Sequence, residues 1–381
     1  MRRTLYGPDH LAFGESVTEF VDRYVKPRHQ AIIEQRFIDR EVWKRAGESG
    51  FLGLEIPEVY GGSEAGDYRF NAMLTEVLSG VSAAIPSAFG IHVDIVAPYL
   101  TELTTEEQRS RWLPGFCTGD IVTAIGMTEP AAGSDLAGIK TTARQEGTDW
   151  VINGSKTFIT NGYNADLVVV AVKTSPDKKA KGITLFAVEK GMPGFERGRK
   201  LDKIGQPESD TAELFFEDVR VPAHNVIGEV DRGFIHMMTF LPQERLNCAV
   251  SNLAHAKALF AETLTYVSDR KAFGQAIGSF QFNKFTIAEV ATKIDVTQAF
   301  VDACVDAHAD GELSATDAAK AKWWTAEIQN TILDTCLQLH GGYGYMNEYR
   351  IAQAWKDARV TRIWAGSNEI MKEIIGRDLG F

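Results

Sequence analysis

GMTEPAAGSD at Gly126–Asp135 and NGSKTFITNG at Asn153–Gly162 decide the reading of this chain. Each gathers glycines, small hydroxyl residues and turn formers, a combination that lets backbone approach a flat polar ligand. Either segment alone reads equally well as a glycine-containing turn. Their order and separation carry the information.

Upstream of the pair, from Asp9 to about Thr123, apolar residues recur at helical spacing: Leu11, Phe13, Val17, Phe20, Val21 and Tyr24, then Phe70, Met73, Leu74, Val77 and Leu78. Thr104 with Glu107 predicts a capping box that opens EEQRSRWLPGF, and Pro114-Gly115 predicts its end. Around and after the pair, DWVING, DLVVVAVKT, GITLFAVEK and ELFFEDVRVP read as short strands. Asn153-Gly154 and Asn161-Gly162 predict hairpin turns, and Lys178, Lys179 and Lys181 a solvated loop between strands. No proline follows Pro242, which predicts a closing bundle of long helices. Leu246, Ala249, Val250, Leu253, Phe260, Leu264 and Val267 form one apolar stripe of that bundle. Phe282, Phe285, Ile287, Val290, Ile294, Val301 and Val305 form another.

With 381 residues, 44% of them hydrophobic, the chain can bury a core shared by two or three domains. Its net charge of −11 argues against a nucleic-acid partner, which calls for concentrated lysine and arginine. Cys117, Cys248, Cys304 and Cys336 are scattered, with neither CxxC nor zinc spacing, so they read as buried thiols in a reducing compartment and no metal site is expected. The start, MRRTLYGPDH, has two basic residues and no apolar stretch behind them, and LVVVAV at Leu167–Val172 is too short to span a membrane. A cytoplasmic protein is expected. No strand-linked GxGxxG, phosphate loop, HExxH or GxSxG is present.

The helical–β–helical order, together with TEPAAGSD and SKTFITNG, resembles the acyl-CoA dehydrogenase family of flavoenzymes, over nearly the whole chain. FLGLEIPEVYGG (Phe51–Gly62), DRKAFGQAIGSFQ (Asp269–Gln281) and QLHGGYGYMNEY (Gln338–Tyr349) look like further family segments. LPQERL, GGYGYMNEY and IWAGSNEIMKE are similar to the long-chain branch. The resemblance implies an α+β architecture: an N-terminal helical domain (1–123), a middle β-barrel-like domain (124–240) and a C-terminal four-helix bundle (241–381). It also implies FAD, an acyl-CoA substrate oxidised to trans-2-enoyl-CoA, an electron-transfer flavoprotein as acceptor, and a homo-oligomer, a tetramer by analogy.

Roles follow the resemblance residue by residue. Ile125, Met127, Thr128, Gly133 and Ser134 look like the strand and loop at the flavin edge, with Ser134 also reaching the thioester. Phe158, Ile159 and Thr160 look like the second wall, and Phe158 stands where many relatives carry tryptophan. A flat ring wants an aromatic or apolar flank and a few placed donors. Arg270, Phe273 and Gln281, with Gln338, Leu339, His340, Gly341 and Gly342, are similar to residues that grip the flavin diphosphate and adenine from a neighbouring subunit. On their own, Arg270 reads as a helix-end cation and Gly341-Gly342 as a helix stop. Ser367, Asn368 and Glu369 look like a flavin-contacting turn and helix start. The segment Ser82–Leu100 resembles the helix lining the acyl tail, and Pro242, Gln243, Glu244, Arg245, Ala365 and Gly366 the substrate-contacting positions.

The base is the point of departure. Many relatives carry a catalytic glutamate where this chain has Ala365, which cannot take a proton. A subset, the long-chain and isovaleryl branches included, uses a glutamate in an ERL context, here Glu244. Pro242 predicts that Glu244 lies in the first turn of a helix, where a carboxylate caps free amides. An empty position 365 beside a filled position 244 favours the base. An oxidase or monooxygenase on the same fold, and a non-catalytic subunit of a hetero-oligomer, are the alternative readings.

Overall fold

The structure, a computed structural model, describes residues 3–381, so the basic start read at Arg2 lies outside the described residues. The N-terminal helices are α1 (Pro8–Phe20), α2 (His29–Gln35), α3 (Arg40–Glu48), α4 (Arg69–Ser79), α5 (Ala84–Gly90), α6 (Ala97–Glu102) and α7 (Glu106–Thr118). A π-helical turn, Ile91–Val96, makes α5 and α6 one buried rod, a local widening often found at functional sites. Trp43, Phe20, Phe51 and Phe89 pack the core of this domain, with Trp43 stacked on Phe89 at 4.7 Å.

Two details of α7 differ from the sequence reading. Thr105 and Gln108, not Thr104 and Glu107, form the capping box, because Gln108 is also anchored through its amide to the carbonyls of His224 and Val226. The helix then runs through Pro114 to Thr118, where Gly119 (φ 75°) ends it.

Strands β1 (Thr123–Gly126), β2 (Thr142–Glu146), β3 (Asp149–Ile159), β4 (Leu167–Lys173), β5 (Ile183–Glu189), β6 (Phe195–Lys200), β7 (Ala212–Val221) and β8 (Val226–Ile227) form one sheet in the order β6-β7-β3-β2-β4-β5-β8, with β1 beside β4 in parallel. Its two halves meet at a single parallel pair, Thr142 with Lys173. Strand β4 is buried through Val172, as its unbroken apolar run requires. Asn153-Gly154 makes no hairpin: it lies inside β3, where Gly154 (φ 145°) forms a bulge against β7 and a Cβ would come within 2.5 Å of Thr141 Oγ1. Asn161 does take the left-handed turn conformation (φ 61°), though β3 and β4 are not paired. The lysine segment is a 3-10 turn, Pro176–Gly182, tied down by Lys178 to Asp231 at 2.6 Å.

Helix α8 runs unbroken from Gly233 to Asp269, so the boundary expected at 240/241 falls inside it. Pro242 sits in its interior rather than at its start, and Glu244 is therefore no first-turn cap. A short hairpin of β9 (Lys271–Ala272) and β10 (Gln275–Ala276) leads to α9 (Gln281–Ala309) and α10 (Ala315–His340). Helices α11 (Arg350–Ala358) and α12 (Asn368–Asp378) pack on α10, and α11 also touches α8. The predicted stripes are buried at Leu246, Ala249, Val250, Leu253, Phe260 and Val267 in α8 and at Val290, Ile294, Val301 and Val305 in α9, but Leu264, Phe282 and Phe285 are exposed, leaving an uncovered apolar strip at the start of α9.

The domains are stitched by arginines. Arg3 joins Glu76 to Asp302, Arg40 reaches Asp166 and the Asn164 carbonyl, and Arg350 donates to the carbonyls of Gly80 and Val81. Among the described residues no helix is long and apolar enough to cross a membrane.

Candidate active site

The two glycine-rich segments lie side by side. Thr157 N–H donates to Thr128 O at 2.9 Å, and Lys156 Nζ donates to Met127 O at 3.2 Å and to Glu129 Oε1 at 2.7 Å. Glu129 also accepts the amides of Lys140 and Thr141. Burial opposes its ionisation, but Lys156 and these amides hold its carboxyl below the usual range, while burial pulls Lys156 down to about 8. The pair is therefore ionised at neutral pH. Neither residue was singled out from the sequence, since charged residues in a turn normally read as solvated.

This buried bridge frames an edge made from the expected residues. Ile125 and Met127 are half-buried, Ile159 is buried, and Gly133 and Ser134 are exposed on the loop beyond. Phe158 is 67% exposed with a left-handed backbone (φ 59°), so its ring stands clear of its own domain beside Thr128 and Thr160.

A second group gathers at the far end of the bundle. A cavity of about 650 Å³ is lined by Tyr266, Arg270, Ile277, Gln338, Leu339, His340, Gly341, Gly342, Tyr343 and Met346. Arg270 lies 5.3 Å over the Tyr343 ring, and His340 stacks on Tyr266 at 4.1 Å. The ring of His340 is thus part of the wall, with Nδ1 hydrogen-bonded to Cys336 O. Phe273 is 96% exposed and Gln281 is exposed at the start of α9. Among the described residues no hydrogen bond, ion pair or ring contact links this group to Thr128 or Phe158.

The donor set fits a dinucleotide flavin. Arg270 offers a planar cation to a diphosphate, and a Cβ at Gly341 or Gly342 would meet nothing, so the backbone there is open to close approach. Phe158 offers an unpaired aromatic face and Thr128 a hydroxyl.

The third group surrounds Glu244. Its carboxylate has no hydrogen-bond partner among the described residues, and it is half-buried: a narrow accessible face remains, yet protein surrounds it densely enough to strip hydration. That burial pushes the carboxyl up to about 7, against the pull of Arg245 and Lys322. Tyr99 and Cys248 are its other ionisable neighbours. Arg245 is buried, and its Nε is unpartnered. Gln243 points the other way: its amide donates to Asp94 O at 2.9 Å and accepts from His308 at 3.0 Å. Ala365 (φ 50°) and Gly366 (φ 82°) form a left-handed pair before α12, which Ser367 caps. Lys322 connects the two sides: it influences Glu244 electrostatically and donates to Gly366 O at 2.6 Å and to Asn368 Oδ1 at 3.3 Å.

The rod expected to line an acyl tail is not uniformly apolar. Asp94 is buried in its π turn, accepting from Asn71 at 2.9 Å and from Asn247, and burial pushes it up to about 7. His92 is buried between Thr123 and the Phe116 carbonyl and is held neutral, down to about 3, by burial.

Sequence profiles of the acyl-CoA dehydrogenase N-terminal, middle and C-terminal domains match residues 7–120, 124–219 and 231–380. The chain is 45% identical over 379 residues to the mitochondrial long-chain specific acyl-CoA dehydrogenase of Mus musculus, covering 99% of this chain and 88% of that protein. It is 35% identical to the mitochondrial isovaleryl-CoA dehydrogenase of Pongo abelii, covering 95% and 86%. A crystal structure of an acyl-CoA dehydrogenase from Geobacillus kaustophilus superposes with a TM-score of 0.96 at 44% identity, over 99% of both chains. The chain belongs to the acyl-CoA dehydrogenase family. It is an oxidoreductase of the acyl-CoA dehydrogenase type, built from the helical, β and helical domains of that fold.

Proposed function

We propose that the chain oxidises the Cα–Cβ bond of an acyl-CoA thioester to a trans-2-enoyl-CoA, with Glu244 as the base. The observation that carries this reading is an unpartnered, poorly hydrated carboxylate at Glu244, linked through the Lys322 cation to the left-handed Ala365–Gly366 turn. A thioester α-proton is too weakly acidic for an ordinary carboxylate. Dehydration raises the basicity of Glu244, and an N–H aimed at the thioester oxygen stabilises the developing enolate. Ala365 has lost the side chain that relatives use, but its N–H is unaffected by that loss. The α-proton passes to a Glu244 oxygen while Ser134 and the Ala365 amide hold the thioester.

Bound FAD would supply the two-electron acceptor chemistry that the departing β-hydride requires, at its ring N5, with an electron-transfer flavoprotein as the onward acceptor. Thr128, Phe158, Ile159 and Thr160 would hold its ring, and Ser367, Asn368 and Glu369 its near edge. Arg270, Phe273, Gln281 and Gln338–Gly342 would hold the diphosphate and adenosine of a neighbouring copy. That division requires a homo-oligomer, which we take to be a tetramer, and the exposed Phe282 and Phe285 supply an apolar surface for it. Free thiols, buried at Cys117, Cys304 and Cys336 and half-buried at Cys248, support a reducing compartment, and we assign the cytoplasm; the relatives compared above are named as mitochondrial proteins.

The deciding experiment is anaerobic addition of acyl-CoA esters to the yellow holoprotein. Bleaching by the wild type but not by Glu244→Gln supports the assignment; near-normal bleaching by the variant refutes it.

A further inference from the structure

Lys322 is a costly residue for its place. Its side chain is fully buried on the inner face of α10, where an ammonium loses most of its hydration. A neutral donor would suffice to satisfy the Gly366 carbonyl. The Lys322 ammonium meets two neutral acceptors instead, Gly366 O at 2.6 Å and Asn368 Oδ1 at 3.3 Å, and, among the described residues, no carboxylate. Asn368 is itself oriented, because its Nδ2 donates to Glu327 Oε1 at 2.7 Å, and Glu327 pairs with Arg362 at 2.7 Å. The chain of contacts Arg362–Glu327–Asn368–Lys322 thus ends on the carbonyl of the residue after Ala365.

That turn needs holding. Ala365 is an L-residue at φ 50°, a conformation that L side chains rarely adopt and that persists only where the surroundings over-determine it. Gly366 follows at φ 82°, and a Cβ there would strike Met371. The Gly366 carbonyl lies in the Gly366–Ser367 peptide plane, so the Lys322 bond anchors the turn at its C-terminal side, where the Ser367 cap of α12 follows.

We propose that Lys322 is a positioning residue for α-proton abstraction, anchoring the Ala365–Gly366 turn so that the Ala365 N–H faces the thioester oxygen, and lending its fixed positive charge to the site of Glu244. The inference rests on Glu244 and Ala365 acting as stated above. The titratable groups that bear on it are Glu244, Arg245 and the neutral thiol of Cys248 from α8 and Glu369 from α12, with the neutral phenol of Tyr99 from α6 beside Glu244. Lys322 and Arg245 both favour the carboxylate form of Glu244, and Lys322 alone of the two also touches the turn.

The test uses holoenzyme and an acyl-CoA in which sulfur replaces the β-carbon. Such a ligand gives its α-proton to the base but has no β-hydride to lose, so no electrons move. Its enolate against oxidised flavin produces a long-wavelength absorption band. The pH midpoint of that band reports the ionisation of Glu244, and its plateau reports how well the enolate oxygen is held. Lys322→Gln can still donate to Gly366 O without charge. It is expected to bind the ligand within about threefold of wild type, keep most of the plateau, and shift the midpoint up by about one unit, a tenfold loss at fixed pH. Lys322→Met should show the same shift and lose about tenfold in plateau.

If both variants hold flavin with midpoint and plateau as in wild type, the proposal is wrong. If Lys322→Met sheds flavin or melts early while Lys322→Gln matches wild type in both readouts, Lys322 is structural and the proposal is equally overturned. A wild-type protein that forms no band with any such ligand would instead overturn the Glu244 assignment, and this inference with it.

Discussion

Glu129 and Lys156 form an ion pair at 2.7 Å in which neither side chain is more than 3% exposed, and the pair welds the two glycine-rich segments into one edge. Removing one partner strands the other without hydration. Lys156→Met is expected to cost about 3–5 kcal/mol, the range for breaking a buried pair. Urea denaturation followed by fluorescence measures it, and Glu129→Gln/Lys156→Met should be milder than Lys156→Met alone. A single variant within about 0.5 kcal/mol of wild type would show the pair to be idle.

How much of this was legible beforehand depended on whether a residue's environment follows from its neighbours in the chain. The unbroken run at Leu167–Val172 could only be a buried strand, and the absence of proline after Pro242 announced the bundle. The α7 cap was misplaced by one residue because Thr104 and Thr105 both satisfy the same motif, and the choice was made by a contact with His224 and Val226, more than a hundred residues away. Strands β2 and β6 are rich in charge and went unread. Lys156, Glu129 and Lys322 were invisible for the same reason: local pattern gives no sign that a charge will be buried against a partner distant in sequence. Glu244 could be named as a candidate from its motif, but its lone, dehydrated state required the fold.

Glu244→Gln should keep its flavin and lose turnover by about a thousandfold or more, within the range for general-base removal plus misalignment. Its pH behaviour has a definite sign. The folded protein binds the Glu244 proton more tightly than the unfolded chain, up to about 7 against the ordinary 4.5, so ionising it costs stability as pH rises through that window. Thermal melts from pH 4.5 to 7 should therefore show a smaller loss with rising pH in Glu244→Gln than in wild type, while bleaching by the wild type climbs towards pH 7 and above.

Phe158→Ala removes the exposed ring without disturbing the core. One stacked ring is worth about 0.5–1.5 kcal/mol, so flavin should dissociate about 2- to 10-fold more readily, as read by equilibrium dialysis. Phe158→Trp should retain flavin at least as well as wild type.

Phe282→Glu/Phe285→Glu places charges on the apolar strip at the start of α9. Light scattering should show a smaller assembly, and flavin content should fall with it, because Arg270 and Gln338–Gly342 are proposed to serve a neighbouring copy. A monomer that keeps full flavin would dismiss that division of labour.

The arginines that bind the domains together set a limit on how this enzyme can be altered. Arg350 of the closing bundle ends on the carbonyls at Gly80 and Val81, and Arg40 of the opening helices ends on Asn164 and Asp166 of the sheet. Each of these cations reaches acceptors in another domain, Arg350 while also pairing with Glu262 of its own bundle. A graft exchanging one domain for that of a relative must therefore import both ends of every such clasp, and the three domains are inherited as one piece.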